Sequence, residues 1–217
     1  MCNLVTMKAS VDEVASHFKA RRPKPTNATP GDVYPSGQGF VVREEGGERV
    51  MQAMTWGFPV RLKGMKLTSK PKPVNNARDD KLLTGFWKHW FVTPAHRCLI
   101  PFTAFAEAEG DKGRMTRTWI SVADQPLAAW AGLWRPTDEW GDSYTGVMVD
   151  ATEELWEIHD RMPVILHPDE HEAWLHAPAE EAMALLRKYP AGRLEVERTD
   201  EPWFKRKGEA AANATLF

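Results

Sequence analysis

Between residues 97 and 166 the apolar residues of this chain come in short bursts, at 97–100, 105–108, 119–122, 127–133, 144–149 and 162–166. Each burst is too short for a helix of ordinary length, and the gaps between them carry Gly, Pro and Asp, so each is expected to fold as a strand. Many short strands in one chain leave many open edges, which a curved or closing sheet removes.

Helical signals are few. Ser10-Val11-Asp12-Glu13 has the capping-box spacing, with Val11, Val14, Ala15 and Phe18 following at helical intervals up to the break at Pro23. Further helices are expected near 82–91, 170–175 and 179–188. Strands at 39–43 and 49–56 flank Glu45-Gly46-Gly47-Glu48, a hairpin signal, and a last strand is expected at 194–196. Residues 25–37 read as an irregular connection, and 56–76, polar, basic and proline-rich, as a long loop. The expectation is an α+β fold: a single β-rich domain over 1–207, with a curved or barrel-like mixed sheet and a few flanking helices, and a disordered tail at 208–217.

At 217 residues with 42% hydrophobic residues, the chain can bury a core of its own, and no apolar run approaches the roughly 18 residues that span a bilayer. No basic segment leads into an apolar stretch at the start, so no secretory signal is read and a cytoplasmic location is expected. Cys2 and Cys98 are then free thiols, Cys98 a small buried hydrophobe within Arg97-Cys98-Leu99-Ile100-Pro101. The net charge of -2 hides an asymmetry: residues 1–100 hold 16 Lys and Arg against 8 Asp and Glu, and the rest hold 12 against 22. The basic half includes the run 19–24 and Arg61, Lys63, Lys66, Lys70 and Lys72, which suits phosphates, although such a run is more often a solvated face.

Cys2 stands directly after the initiator methionine, which is normally removed ahead of a small residue. Its removal puts an α-amine and a thiol on one carbon skeleton, both titrating not far above neutrality. Such a terminus can condense with an aldehyde, the amine giving an imine and the thiol closing a five-membered thiazolidine. Alone, a cysteine at position two is more often without a role. Glu107 lies among apolar neighbours in Phe102-Thr-Ala-Phe-Ala-Glu107, where burial would raise its pKa toward useful acid–base values, unless it points outward from a half-buried strand. His159 and Arg161, in Ile158-His-Asp-Arg-Met-Pro163, offer a proton carrier and a phosphate fork, though a lone histidine at a strand edge is more often structural. Asn75-Asn76-Ala77-Arg78 offers amides and a second fork, or simply a turn. Trp56-Gly57-Phe58 offers flat apolar surface for bases, or core. No metal site is expected, since Pro168 breaks the helical spacing of His167 and His171, and no cofactor loop is present.

Taken in order, Met1-Cys2, Trp56-Gly57, Asn76-Ala77-Arg78, Arg97-Cys98-Leu99-Ile100-Pro101 with Glu107 six residues on, Ala131-Gly132-Leu133-Trp134 and 159–166 resemble the SOS-response-associated peptidase family, which includes the 5-hydroxymethylcytosine-binding, embryonic-stem-cell-specific protein. The resemblance implies a compact β-rich α+β domain that binds single-stranded DNA; a monomer without a cofactor is expected. It implies a covalent thiazolidine crosslink to abasic sites through Cys2 after loss of Met1, peptidase action on the leader, and lyase chemistry at the same site. By that resemblance Cys2 is the nucleophile, Asn76 orients the sugar or amine, Glu107 relays protons and His159 assists opening of the deoxyribose. Arg78 and Arg161 would hold phosphates, Trp56, Gly57 and Phe58 would support bases, and the protein would join the nucleoid on damage. The chain departs from the family pattern at Asn3-Leu4, where many members carry Gly-Arg, at Asp79-Asp80-Lys81, where Ala-Glu-Thr is usual, and at Ala106, Ala108 and Met148. Two rival readings remain: an N-terminal-nucleophile amidohydrolase, and a non-catalytic nucleic-acid-binding module.

Overall fold

A computed structural model of the chain describes residues 2–61, 64–66 and 68–204; Met1, Lys63 and the tail expected at 208–217 lie outside the described residues. The first half contributes β1 (Leu4–Met7), α1 (Val11–His17), β2 (Gly31–Val33), β3 (Gln38–Glu45), β4 (Glu48–Trp56), β5 (Phe58–Val60), β6 (Lys72–Val74), β7 (Asn76–Arg78) and α2 (Gly85–Val92). The second half adds β8 (Arg97–Phe102), β9 (Ala104–Glu109), β10 (Thr116–Val122), β11 (Ala128–Arg135), β12 (Ser143–Asp150), α3 (Glu153–Trp156), β13 (Arg161–Pro163), β14 (Ile165–Leu166), α4 (His171–His176), α5 (Ala179–Ala184) and β15 (Leu194–Pro202).

The local signals act as physics requires. Ser10 Oγ accepts from Glu13 N–H while the Glu13 carboxylate accepts from Ser10 N–H, which satisfies two otherwise orphaned donors at the start of α1. Gly46 and Gly47, both at positive φ, turn β3 into β4.

Five strands form one sheet in the order β15-β10-β9-β1-β2. The larger sheet runs β13-β12-β4-β3-β8-β11-β14, and β12 is its hub, antiparallel to β11 and β13 and parallel to β4 and β7. Because β11 continues through β8 and β3 to β4, which returns to β12, the sheet nearly closes on itself. It is not a true barrel: β3 meets β8 at the single pair Val42 and Leu99, and β4 meets β12 at two pairs. The expected α+β class with a curved mixed sheet is what the chain forms.

Aromatic rings fill the inside of the near-closed sheet. Trp130 lies edge-on to Trp56 at 5.9 Å, Trp56 stacks parallel to Tyr144 at 6.3 Å, and Trp130 Nε1 donates to the Val147 carbonyl at 2.7 Å. Gly132 and Gly146 face each other across β11 and β12, and a Cβ on Gly146 would come within 1.8 Å of the Trp130 ring. Glycine is demanded there by the ring beside it. Arg97, buried, donates to the Trp174 and Ala177 carbonyls at 2.7 and 2.6 Å and so ties the end of α4 to β8.

Several expectations needed correction. The loop at 56–76 contains the paired strands β5 and β6, and 25–37 contains β2. The run 162–166 is two strands parted at Val164, and the last strand reaches Pro202. None of the described helices is long and apolar enough to cross a membrane.

Gly146→Ala should lower the unfolding free energy by about 3 kcal/mol in urea titration, because the Trp130 indole is fixed by its own hydrogen bond and has nowhere to shift. A change within the noise of the measurement would mean the ring can move.

Candidate active site at the amino terminus

The site forms where the two sheets meet. β1 pairs with β9 in the register Leu4 to Ala106, which brings Cys2, two residues before Leu4, to the Glu107 end of β9. β7 lies parallel to β12 with Asn76 opposite Gly146, and from there Asn76 Nδ2 donates to the Cys2 carbonyl at 2.8 Å. β13 pairs with the far end of β12, Arg161 opposite Asp150, and carries His159 just ahead of it. Glu107, His159 and Arg161 line one shallow recess with Phe105, Ile120, Leu155 and Ile158. Cys2, Asn76, Glu107 and His159, far apart in sequence, thus converge.

Burial sets the electrostatics. Cys2 is wholly buried in the chain with Met1 still attached, its thiol 3.6 Å from the Leu4 carbonyl to which it donates. Burial, reinforced by the Glu107 carboxylate, pushes the thiol well above its ordinary value, so at neutral pH it holds its proton. Glu107 points inward, opposite Thr118 of β10 and only 5% exposed, and burial pushes its carboxyl up to about 7. It is therefore divided between acid and base near neutrality. Cys98 is also a free, buried thiol, pushed up by burial against a smaller opposing pull from the Arg43 charge.

Burial likewise lowers the pKa of His159, so the neutral ring prevails at pH 7. Two groups compete for its Nδ1: the Arg161 N–H, which donates to it at 2.9 Å, and the Asp160 carboxylate, also at 2.9 Å. With the ring neutral the backbone contact prevails, which leaves the proton on Nε2, and the solvated Asp160 takes over only once the ring is charged.

The expected DNA-contact residues fare differently. Trp56 and Phe58 are 0% exposed and present no face to a base. Trp56 Nε1 donates to the Asn75 carbonyl at 3.0 Å, and Gly57, at φ +113, passes so close to Pro73 that a Cβ would meet it at 2.6 Å. That tripeptide is a buried joint, because the aromatic neighbours of α2 and β12 close over it. Arg78 forks onto Asp80 at 2.9 and 3.0 Å, and Arg161 reaches Asp79 at 2.9 Å and Asp150 at 3.2 Å. The acids that depart from the family pattern, Asp79 and Asp80, are thus the partners of both arginines.

Sequence reading missed what lies outside Phe58. Phe86 of α2, 45% exposed, packs on Phe58 at 6.1 Å, and the Arg135 guanidinium sits over the Phe58, Phe86 and Trp90 rings at 5.0, 5.7 and 5.5 Å. Lys66, Lys70 and Lys72 nearby are exposed and make no ion pair among the described residues. The repeated aromatics of Gly85-Phe-Trp-Lys-His-Trp-Phe91 were the available signal. Among the described residues no group of three or more His, Cys, Asp or Glu is arranged to hold a metal ion. A groove of about 920 Å³ between α1, the β3–β4 turn and α4 is lined by none of the four site residues. Its charges cancel internally, with Arg49 and His176 each reaching both Glu44 and Glu172.

Residues 1–201 match the model of the SOS response associated peptidase (SRAP) family. The chain belongs to the SRAP family. It is 27% identical over 209 residues to the abasic site processing protein YoaM of Bacillus subtilis, covering 90% of this chain and 89% of that one. It is 28% identical over 174 residues to the abasic site processing protein HMCES of Xenopus tropicalis, across 68% of this chain and 52% of that relative. A crystal structure of a Bordetella bronchiseptica protein superposes with a TM-score of 0.77 at 27% identity, over 91% of this chain and 99% of that chain. The SRAP chain's Cys2, Asn76, Glu107 and His159 occupy the meeting point of its two sheets.

The raised carboxyl has a thermodynamic consequence. A folded value of about 7 against an ordinary 4.5 means that stability from Glu107 is full below about pH 4.5 and is lost as pH rises through 7. Glu107→Gln should therefore gain on the wild type by up to about 3 kcal/mol between pH 4.5 and pH 8 in urea titrations. A gap that stays constant with pH would show that Glu107 is not held in its neutral form.

Proposed function

We propose that this SRAP protein acts on abasic sites in single-stranded DNA, forming a covalent thiazolidine crosslink through Cys2 once Met1 has been removed. The observation that carries the reading is the convergence of the second-position cysteine with an inward, near-neutral carboxyl and an amide on the Cys2 carbonyl. Membership of the family and the names of its abasic-site-processing relatives support the choice of substrate.

The chemistry balances with the groups at hand. The α-amine attacks C1′ of the ring-opened deoxyribose, and the protonated fraction of Glu107 helps the carbinolamine lose water to give an imine. The Cys2 thiol, still protonated, then adds to the imine carbon; its proton passes to the Glu107 carboxylate and on to the ring nitrogen. One C–N and one C–S bond form and one water leaves. His159, neutral with its proton on Nε2, is suited to assist opening of the sugar. The same Cys2 would serve removal of residues ahead of it, and elimination from the imine would be the lyase branch. Phe86 and the Arg135 guanidinium offer flat surface to bases, with Lys66, Lys70 and Lys72 attracting the backbone. Arg78 and Arg161 hold phosphates only by exchanging their aspartate partners for them.

Incubation of the processed protein with a single-stranded oligonucleotide containing one abasic site should give a heat-stable protein–DNA band that is lost in Cys2→Ala. His159→Ala should slow its appearance at least tenfold with DNA affinity changed less than twofold. Band formation by Cys2→Ala, or glutaminase activity in its place, would overturn the reading.

A further inference from the structure

The Cys2 carbonyl has two donors. Besides Asn76, Asn75 Nδ2 donates to it at 3.1 Å, and the same Asn75 amide donates to Asn3 Oδ1 at 3.0 Å. Asn75 is itself fixed through its backbone, since its carbonyl accepts from Trp56 Nε1 at 3.0 Å and from Gly146 N–H at 3.1 Å. The side chain therefore projects from a point anchored to both β4 and β12.

We infer that Asn75 is a second positioning residue for the Cys2 reagent, locked in place by Asn3. Removal of Met1 changes what lies on the nitrogen side of Cys2, whereas both amides hold the carbonyl on its other side, so these bonds persist in the processed chain. A terminal residue otherwise frays freely. Two donors converging on one carbonyl oxygen from adjacent positions fix that peptide plane and the place of the Cys2 Cα from which the α-amine and Cβ both depart, while the thiol contact to the Leu4 carbonyl at 3.6 Å restrains rotation of the side chain about it. Ring closure needs both groups to reach one carbon in turn, and orientation of this kind is worth large factors in rate. Asn3 Oδ1 supplies the acceptor that holds the Asn75 amide group in the orientation in which Nδ2 faces the carbonyl.

The inference rests on the proposed crosslinking, and the test separates the two. Processed wild type, Asn75→Ala, Asn75→Asp, Asn3→Ala and the double Asn3→Ala/Asn75→Ala are reacted at saturating abasic-site oligonucleotide, with DNA affinity measured alongside. Asn75→Ala should slow adduct formation about tenfold at saturation, the scale of one net hydrogen bond, with affinity changed less than twofold. Asn75→Asp, which keeps the shape but cannot donate, should not recover the rate. Asn3→Ala should slow it about threefold, and the double variant should be no slower than Asn75→Ala, because Asn3 acts through Asn75. Wild-type rate in Asn75→Ala, a loss confined to affinity, recovery by Asp, or additive losses in the double variant would each overturn the inference. If the wild type forms no DNA adduct, the crosslinking reading fails. Condensation of the same proteins with glycolaldehyde then decides the positioning: a tenfold slower ring closure in Asn75→Ala supports it, and equal rates overturn it.

Discussion

The strand Ser143–Asp150 is the constraint from which the candidate site is built. It pairs with four neighbours, two parallel and two antiparallel, and three of them carry site residues or their anchors: β7 holds Asn76, β13 leads to His159 and Arg161, and β4 ends at Trp56. Its middle residue, Gly146, faces Gly132 on one side and Asn76 on the other, and donates its N–H to Asn75. The Trp130 ring lies where any Gly146 side chain would be. Core packing and amide placement are therefore one problem, solved at one residue, and the strand pairing elsewhere in the near-closed sheet keeps that strand still.

The second sheet contributes the reactive pair. Its β1 and β9 bring a thiol and a carboxyl into a setting dry enough to keep both protonated well above their ordinary values. Such a site stores reactivity in neutral forms. A thiol that holds its proton is a poor first nucleophile, which leaves the opening step to an uncharged amine and gives the sulfur its turn only when an imine carbon and a proton acceptor are present. Burial thus orders the steps of the proposed reaction as well as tuning the groups.

Much of this was legible in the sequence, for definite reasons. The strands at 97–166 carry enough β-branched, aromatic and small apolar residues between turn residues to announce themselves, and the α1 capping box is a local signal that a tertiary fold has no cause to override. Glu107 stood out as a carboxylate among apolar neighbours, a pattern that fits an outward-pointing residue on a half-buried strand equally well, and the fold turns it inward. The short strands β1, β2, β5, β6 and β7 were not legible, because three or four residues have no period of their own and are held by pairing to distant partners. The stacking role expected for Trp56 and Phe58 failed for a related reason: sequence shows an aromatic residue but not which face of the sheet will be covered. Asn75 looked like turn chemistry beside Asn76, and only the approach of the amino terminus, more than seventy residues away in the chain, gives its amide an object.

The central claim is that the amine and thiol of a processed Cys2 together capture a sugar aldehyde. Intact-mass measurement of the adduct formed with an abasic-site oligonucleotide, without any reducing agent, tests it most directly. The account predicts the mass of the protein lacking Met1 plus the oligonucleotide less one water, surviving heat and denaturant. An adduct that still contains Met1, or one that survives only after borohydride reduction, would contradict it.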